Sequence, residues 1–108
     1  MTFQTLDYII AIAEEKSISK AADRLLLSQP ALSRQLKRVE ESLDTKLFAR
    51  EQNEMHLTDA GKIYVNGARS IQNIYERALN DIRKLSQSGR HQITFIYNNI
   101  LLPDFSTE

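Results

Sequence analysis

The chain has 108 residues, no cysteine, and 14 basic side chains against 14 acidic ones, so its net charge at pH 7 is zero. That length holds one small domain plus an extended element, and the missing cysteines exclude disulfides and thiolate metal sites and fit a reducing cytoplasm. No apolar run approaches the length of a membrane span, and the N-terminus lacks a basic-then-apolar leader pattern. The charge is unevenly placed. Residues 17–50 carry seven basic side chains against four acidic, and residues 58–88 five against three, while acids collect in 1–16, in 51–57 and after 89. Any binding to an anionic polymer therefore rests on a local patch, with modest non-specific affinity and a steep response to salt.

Phe3, Leu6, Ile9, Ile10 and Ala13 recur at helical spacing and predict a first helix. Ile18, Ala21, Ala22, Leu25 and Leu26 mark a short second helix, started by Ser17 or Ser19. Only Leu27 and Ser28 then separate it from the next, so the two must cross steeply, and Ala21 and Ala22 are small enough to let the backbones approach. The third helix opens the segment SQPALSRQLKR, from Ser28 to Arg38. Ser28 suits an N-cap, and Pro30 sits in the first turn, where its missing N–H would have had no helical partner. Leu32, Leu36, Val39 and Leu43 gather on one face. Pro30, Ser33, Arg34 and Lys37 fall opposite, with Arg38 at the edge of that face and Gln29 at the N-terminal tip. An ordinary surface helix can look like this. Paired with the short helix before it, the segment reads as a helix-turn-helix over about residues 18–37, closed into a three-helix core by the first helix.

Lys46-Leu47-Phe48-Ala49-Arg50 alternates like a strand with Leu47 and Ala49 inward, Gln52, Asn53 and Glu54 form a polar turn, and Met55-His56-Leu57 returns. That is a short hairpin, a wing. Thr58 then reads as an N-cap with Asp59 in the first turn, suited to the helix dipole. No proline follows until past Ser86, so about 28 residues predict roughly 42 Å of helix. Along it Tyr64, Ala68, Ile71, Tyr75, Ala78, Ile82 and Leu85 make an unbroken seam at spacings of four and three. With Ile63, Ile74 and Leu79 flanking it, such a seam predicts dimerisation through this helix. Gly89 ends it, and residues 91–97 read as one strand, which cannot make a sheet by itself.

The run AEEKSISKAADRLLLSQPALSRQLKRVEESLDTKLFAR, followed by HLTDAG at 56–61, resembles the N-terminal domain of the LysR-type transcriptional regulators of bacteria. Ala21, Ala22, Leu25, Ser28, Gln29, Pro30, Ala31, Leu32 and Ser33 carry the resemblance, with Leu47, Phe48, Arg50, Leu57, Thr58, Ala60 and Gly61, over about residues 3–69. It implies a mainly α fold: a winged helix-turn-helix, three helices plus a two-stranded wing, followed by a long dimerising linker helix. It also implies a cytoplasmic, nucleoid-associated protein whose linker helices pair antiparallel. Two positions depart from the family pattern. Asp44 stands where a glycine usually follows the recognition helix, and Asn53, between Glu51 and Glu54, stands where the wing usually has a cation.

The expected organisation is a DNA-binding domain over 1–58, a linker helix over 59–88, and over 89–108 the start of an effector-binding domain, strand then disorder. Whether the chain is a fragment of a longer regulator or a natural truncation stays open, and a small-molecule effector is expected only if a further domain exists. The expected partners are double-stranded DNA and a second copy of the chain, with no membrane and no cofactor. Gln29, Ser33 and Arg34 are placed to read bases, with Pro30 and Ala31 against thymine methyl groups. Ser28, Lys37, Arg38, Lys46, Arg50 and Thr58 are placed to hold phosphates. An enzyme is a poor reading, since His56 and His91 have no metal or triad spacing and three glycines make no phosphate loop. A module that silences a full-length regulator by heterodimerising through the long helix is the alternative. DNA binding by the chain alone separates the two.

Overall fold

The computed structural model describes residues 2–88. Its elements run α1 (Phe3–Glu15), α2 (Ile18–Leu25), α3 (Gln29–Leu43), β1 (Phe48–Glu51), β2 (Glu54–Leu57) and α4 (Asp59–Ser88). The architecture is a winged helix-turn-helix followed by a long helix. Residues 2–71 form one compact unit, and a second begins at Gln72. The strand expected at 91–97 and the tail to 108 lie outside the described residues.

Each helix begins on a hydroxyl. Thr2, Ser17, Ser28 and Thr58 accept hydrogen bonds from the N–H groups of Thr5, Lys20, Ala31 and Gly61, each three residues on, at 3.0–3.2 Å. That satisfies one orphan donor per helix and fixes where each helix starts. Ser17, not Ser19, is the cap of α2.

The first three helices end on left-handed residues that are not glycine: Lys16, Leu26 and Asp44. At the end of α2, Leu26 donates to the Asp23 carbonyl and Leu27 to the Ala22 carbonyl, the paired closure of a Schellman turn. This turn breaks the helical phase on which the sequence pattern counted Leu26 as a core residue. Leu26 is thrown outward, 91% exposed, and Leu27 packs against the core in its place. Three residues, Leu26 to Ser28, therefore separate the two helices instead of two. Asp44 closes α3 the same way, with its N–H on Glu41 and that of Thr45 on Glu40.

Asp44 holds φ at 54°, where a side chain costs more than a hydrogen does. Asp44→Gly is expected to stabilise the domain by about 0.5–1 kcal/mol and to raise its Tm by several degrees. A thermal melt followed by circular dichroism checks this, and a lowered Tm would contradict it.

The core joins Leu6, Ile9, Ile10, Ala11 and Ile12 of α1, Ala21 and Ala22 of α2, and Leu32, Leu36 and Val39 of α3 to Leu47, Phe48, Met55, Val65 and Ala68. Phe3 and Leu43, expected in the stripes, are exposed at the outer ends of their helices. Ala49 is exposed and Phe48 buried, against the expected alternation. The strand begins at Phe48, and Leu47 is buried in the bend before it, so two neighbouring residues point inward.

β1 and β2 pair antiparallel with Phe48 opposite Leu57, Ala49 opposite His56, Arg50 opposite Met55 and Glu51 opposite Glu54. The turn is thus two residues, Gln52 and Asn53, with φ of 51° and 64°. Both values are positive, as the right-handed twist of a hairpin favours. Glu54, expected in the turn, lies in β2 and faces a like charge across the ladder, which disfavours the tip. The outer edge of β2 is tied down, because Met55 donates its N–H to the Lys16 carbonyl at 3.0 Å.

Candidate nucleic-acid interface

The N-terminal half of α3 offers a polar face built on a buried one. Leu32, Leu36 and Val39 hold it to the core, which leaves Gln29, Pro30, Arg34, Lys37 and Arg38 exposed and Ala31 and Ser33 half-buried. Ser28 receives Ala31 on its oxygen and keeps its hydroxyl hydrogen to donate outward. Among the described residues, Arg34, Lys37 and Arg38 are in no salt bridge, so an anion reaching them breaks no existing pair. Arg24 and Arg69 are different. Arg24 Nη2 lies 2.9 Å from Glu14 and its Nη1 3.1 Å from Glu15, while Arg69 lies 3.0 Å from Glu14. The Arg24 hydrogen bond, aided by Arg69, holds the Glu14 carboxyl below the usual carboxylate range despite its partial burial. These arginines knit α1 to α2 and α4.

The remaining expected phosphate holders lie on the wing and its flanks. Arg50 is exposed on β1, on the strand face it shares with Phe48 and Met55. The opposite face carries Glu51, Glu54 and His56, with His56 Nε2 at 3.3 Å from Glu54. Lys46 is well exposed, its Nζ 3.7 Å from Glu40. Thr58 has no hydrogen to spare. Its hydroxyl donates to the Lys46 carbonyl at 2.7 Å while accepting from Gly61. Its role is to cap α4 and to pin the segment ahead of the wing.

One residue that carries this geometry was missed by sequence reasoning. Glu40 is buried, at 9% exposure, and its carboxylate accepts the N–H of Leu47 at 2.7 Å and of Phe48 at 3.3 Å. A signal was present. At 100° per residue Glu40 falls beside Leu36, on the apolar arc of α3.

The seam on α4 divides. Tyr64 packs partly on the winged core, and its burial pushes the phenol pKa up. Ala68 is buried in that core, 2% exposed, together with Val65, which the seam did not include. Ile71 is 41% exposed, with Ile63 more open still. In the second unit Ile74, Tyr75 and Ile82 are exposed, Ala78 is half-buried and Leu85 is buried. Two positions of the seam, Tyr64 and Ala68, are thus covered by the winged core. Ile71, Ile74 and Ile82 are exposed.

The profile of bacterial regulatory helix-turn-helix proteins of the lysR family matches residues 3–62, over half of the chain. The chain belongs to that family. A probable RuBisCO transcriptional regulator of Phaeodactylum tricornutum is 39% identical over 93 residues, which are 86% of this chain and 30% of that protein. The regulator BsdA of Bacillus subtilis is 38% identical over 88 residues, 81% of this chain and again 30% of its own length. The chain thus spans about 30% of these curated relatives. Among solved structures, the BenM DNA-binding domain in complex with catB site 1 DNA superposes with a TM-score of 0.76 at 32% identity, covering 84% of this chain and all of that one. The CbnR DNA-binding domain in its DNA complex gives 0.70 at 35% identity, over 80% of this chain and 99% of its own.

Proposed function

We infer that the chain is the dimeric, sequence-specific DNA-binding part of a LysR-type transcriptional regulator, non-enzymatic and acting in the bacterial cytoplasm on the nucleoid. The observation that carries this reading is the exposed N-terminal face of α3. It combines a proline, an amide, a hydroxyl and three cations free of ion pairs on one buried stripe. Major-groove reading needs this combination: short side chains for close approach, bidentate groups for base edges, and cations behind for phosphates. The likeness to structures solved with DNA supports it.

In this reading Gln29, Ser33 and Arg34 contact bases, and Pro30 and Ala31 meet thymine methyl groups. Ser28, Lys37, Arg38, Lys46 and Arg50 hold phosphates, and Thr58 helps by presenting the N-terminus of α4. The wing tip adds little, because Glu51 and Glu54 flank Asn53. Residues 59–88 serve as linker and dimerisation helix, with the exposed isoleucines as the contact.

Arg34→Ala is expected to cost about 1–3 kcal/mol on a selected operator and little on random duplex. Fluorescence anisotropy on both duplexes reads the difference. Equal losses would move Arg34 from base reading to phosphate holding.

A further inference from the structure

The peptide run Lys46–Phe48 is gripped along both of its edges. On the N–H side, Glu40 of α3 accepts from Leu47 and Phe48. On the carbonyl side, Thr58 donates its hydroxyl to Lys46 and its N–H to Leu47, the latter at 3.0 Å. Among the described residues Glu40 is the buried charged side chain. An apolar side chain there would leave both amides unpaired, so Glu40 contributes to stability as well. A carboxylate adds direction: two charge-assisted bonds to successive amides set both the position and the tilt of the strand that follows. That strand begins one residue after Leu47 and carries Arg50, with Lys46 just ahead of it, whereas the helix that supplies the carboxylate carries Gln29 to Arg38.

We propose that Glu40 is a positioning residue for DNA binding, holding the wing cations Lys46 and Arg50 at a fixed offset from the reading face of α3. Base contacts and wing phosphate contacts are then made in one docking pose, without an ordering cost at the moment of binding. This rests on the DNA-binding reading given above.

The test is a double-mutant cycle in the full 108-residue chain, with a duplex enriched from a randomised pool by the unmodified chain. Arg50→Ala should weaken binding about tenfold in the unmodified background, as loss of one charge-assisted contact does. Beside Glu40→Met, which keeps the length but removes the oxygen that both amides share, the same change should weaken binding less than about twofold. Arg34→Ala should cost an equal factor in both backgrounds. Melting curves fix a temperature at which all variants are folded, and Glu40→Asp, whose shorter side chain cannot reach both amides, replaces Glu40→Met if the latter does not fold. A Glu40 that only stabilises the fold would lower Tm and leave the Arg50→Ala factor unchanged, which overturns the proposal. A pool that yields no enriched duplex overturns the DNA-binding reading, and the proposal with it.

Discussion

Gly61→Ala is expected to unfold the winged domain or to lower its Tm by more than about 12 °C. A Cβ built at Gly61 lies 2.0 Å from the Leu47 carbonyl oxygen and 2.9 Å from Leu57 Cδ2. Leu57 can give way; the Leu47 carbonyl cannot. Its oxygen already receives the Thr58 N–H, and its own amide is held by Glu40 on the other side. Relief requires moving the first turn of α4 against the core, through Val65 and Ala68. Overpacking costs typically 1–3 kcal/mol, and a clash with pinned backbone belongs at or above the top of that range. Each kcal/mol is about 4–8 °C in a domain of this size. Gly67→Ala is the control, because nothing lies within 4 Å of the Cβ it would add. Helix propensity favours that change. If Gly61→Ala melts within a few degrees of the unmodified chain, the close approach has been misjudged.

The second large effect is expected from Ile71→Asp with Ile82→Asp. Each isoleucine is about half exposed, at 41% and 54%, and neither belongs to the winged core. Full burial of such a side chain contributes roughly 1.5–3 kcal/mol. The half still open on four residues from two chains therefore supplies several kcal/mol to a dimer. Aspartates there add four charges to the contact. Sedimentation should report one chain's mass, and the preference for the enriched duplex over random DNA should vanish. A monomer touches one half-site, whereas specific sites require two at a fixed spacing. Circular dichroism should still show a cooperative melt. A double variant that stays dimeric, or a monomer that keeps its full preference, would refute dimerisation through this helix as the basis of specificity.

Much of α3 was legible because three independent signals agree there: an N-cap serine, a proline in the first turn, and a stripe of period 3.6. Its end was legible too, since Asp44 does adopt the left-handed conformation. What escaped depends on contacts made between distant elements. The place of Glu40 beside Leu36 hints at burial, but what it holds shows only once the amides of Leu47 and Phe48, seven and eight residues away, fold back onto it. Gly61 stood out only through the family resemblance, and its reason, a carbonyl from the wing, has no local signature. The placement of Leu26 turned on a Schellman closure that a leucine gave no cause to expect. On α4 the seam from Tyr64 and the core face through Val65 and Ala68 overlap within one turn. Periodicity marks both and assigns neither to a partner.

That overlap has a consequence for how such regulators are assembled from parts. The opening turns of α4 belong to the winged core, since Val65 and Ala68 are buried in one cluster with residues of the preceding helices and the hairpin. A hybrid spliced at the junction between wing and helix would close one protein's interior with another's side chains. A crossover beyond Ala68 leaves the interior native and falls where the helix surface is open. A hybrid that is to fold should therefore take the winged domain and the first turns of α4 from one parent and change parent only farther along the helix.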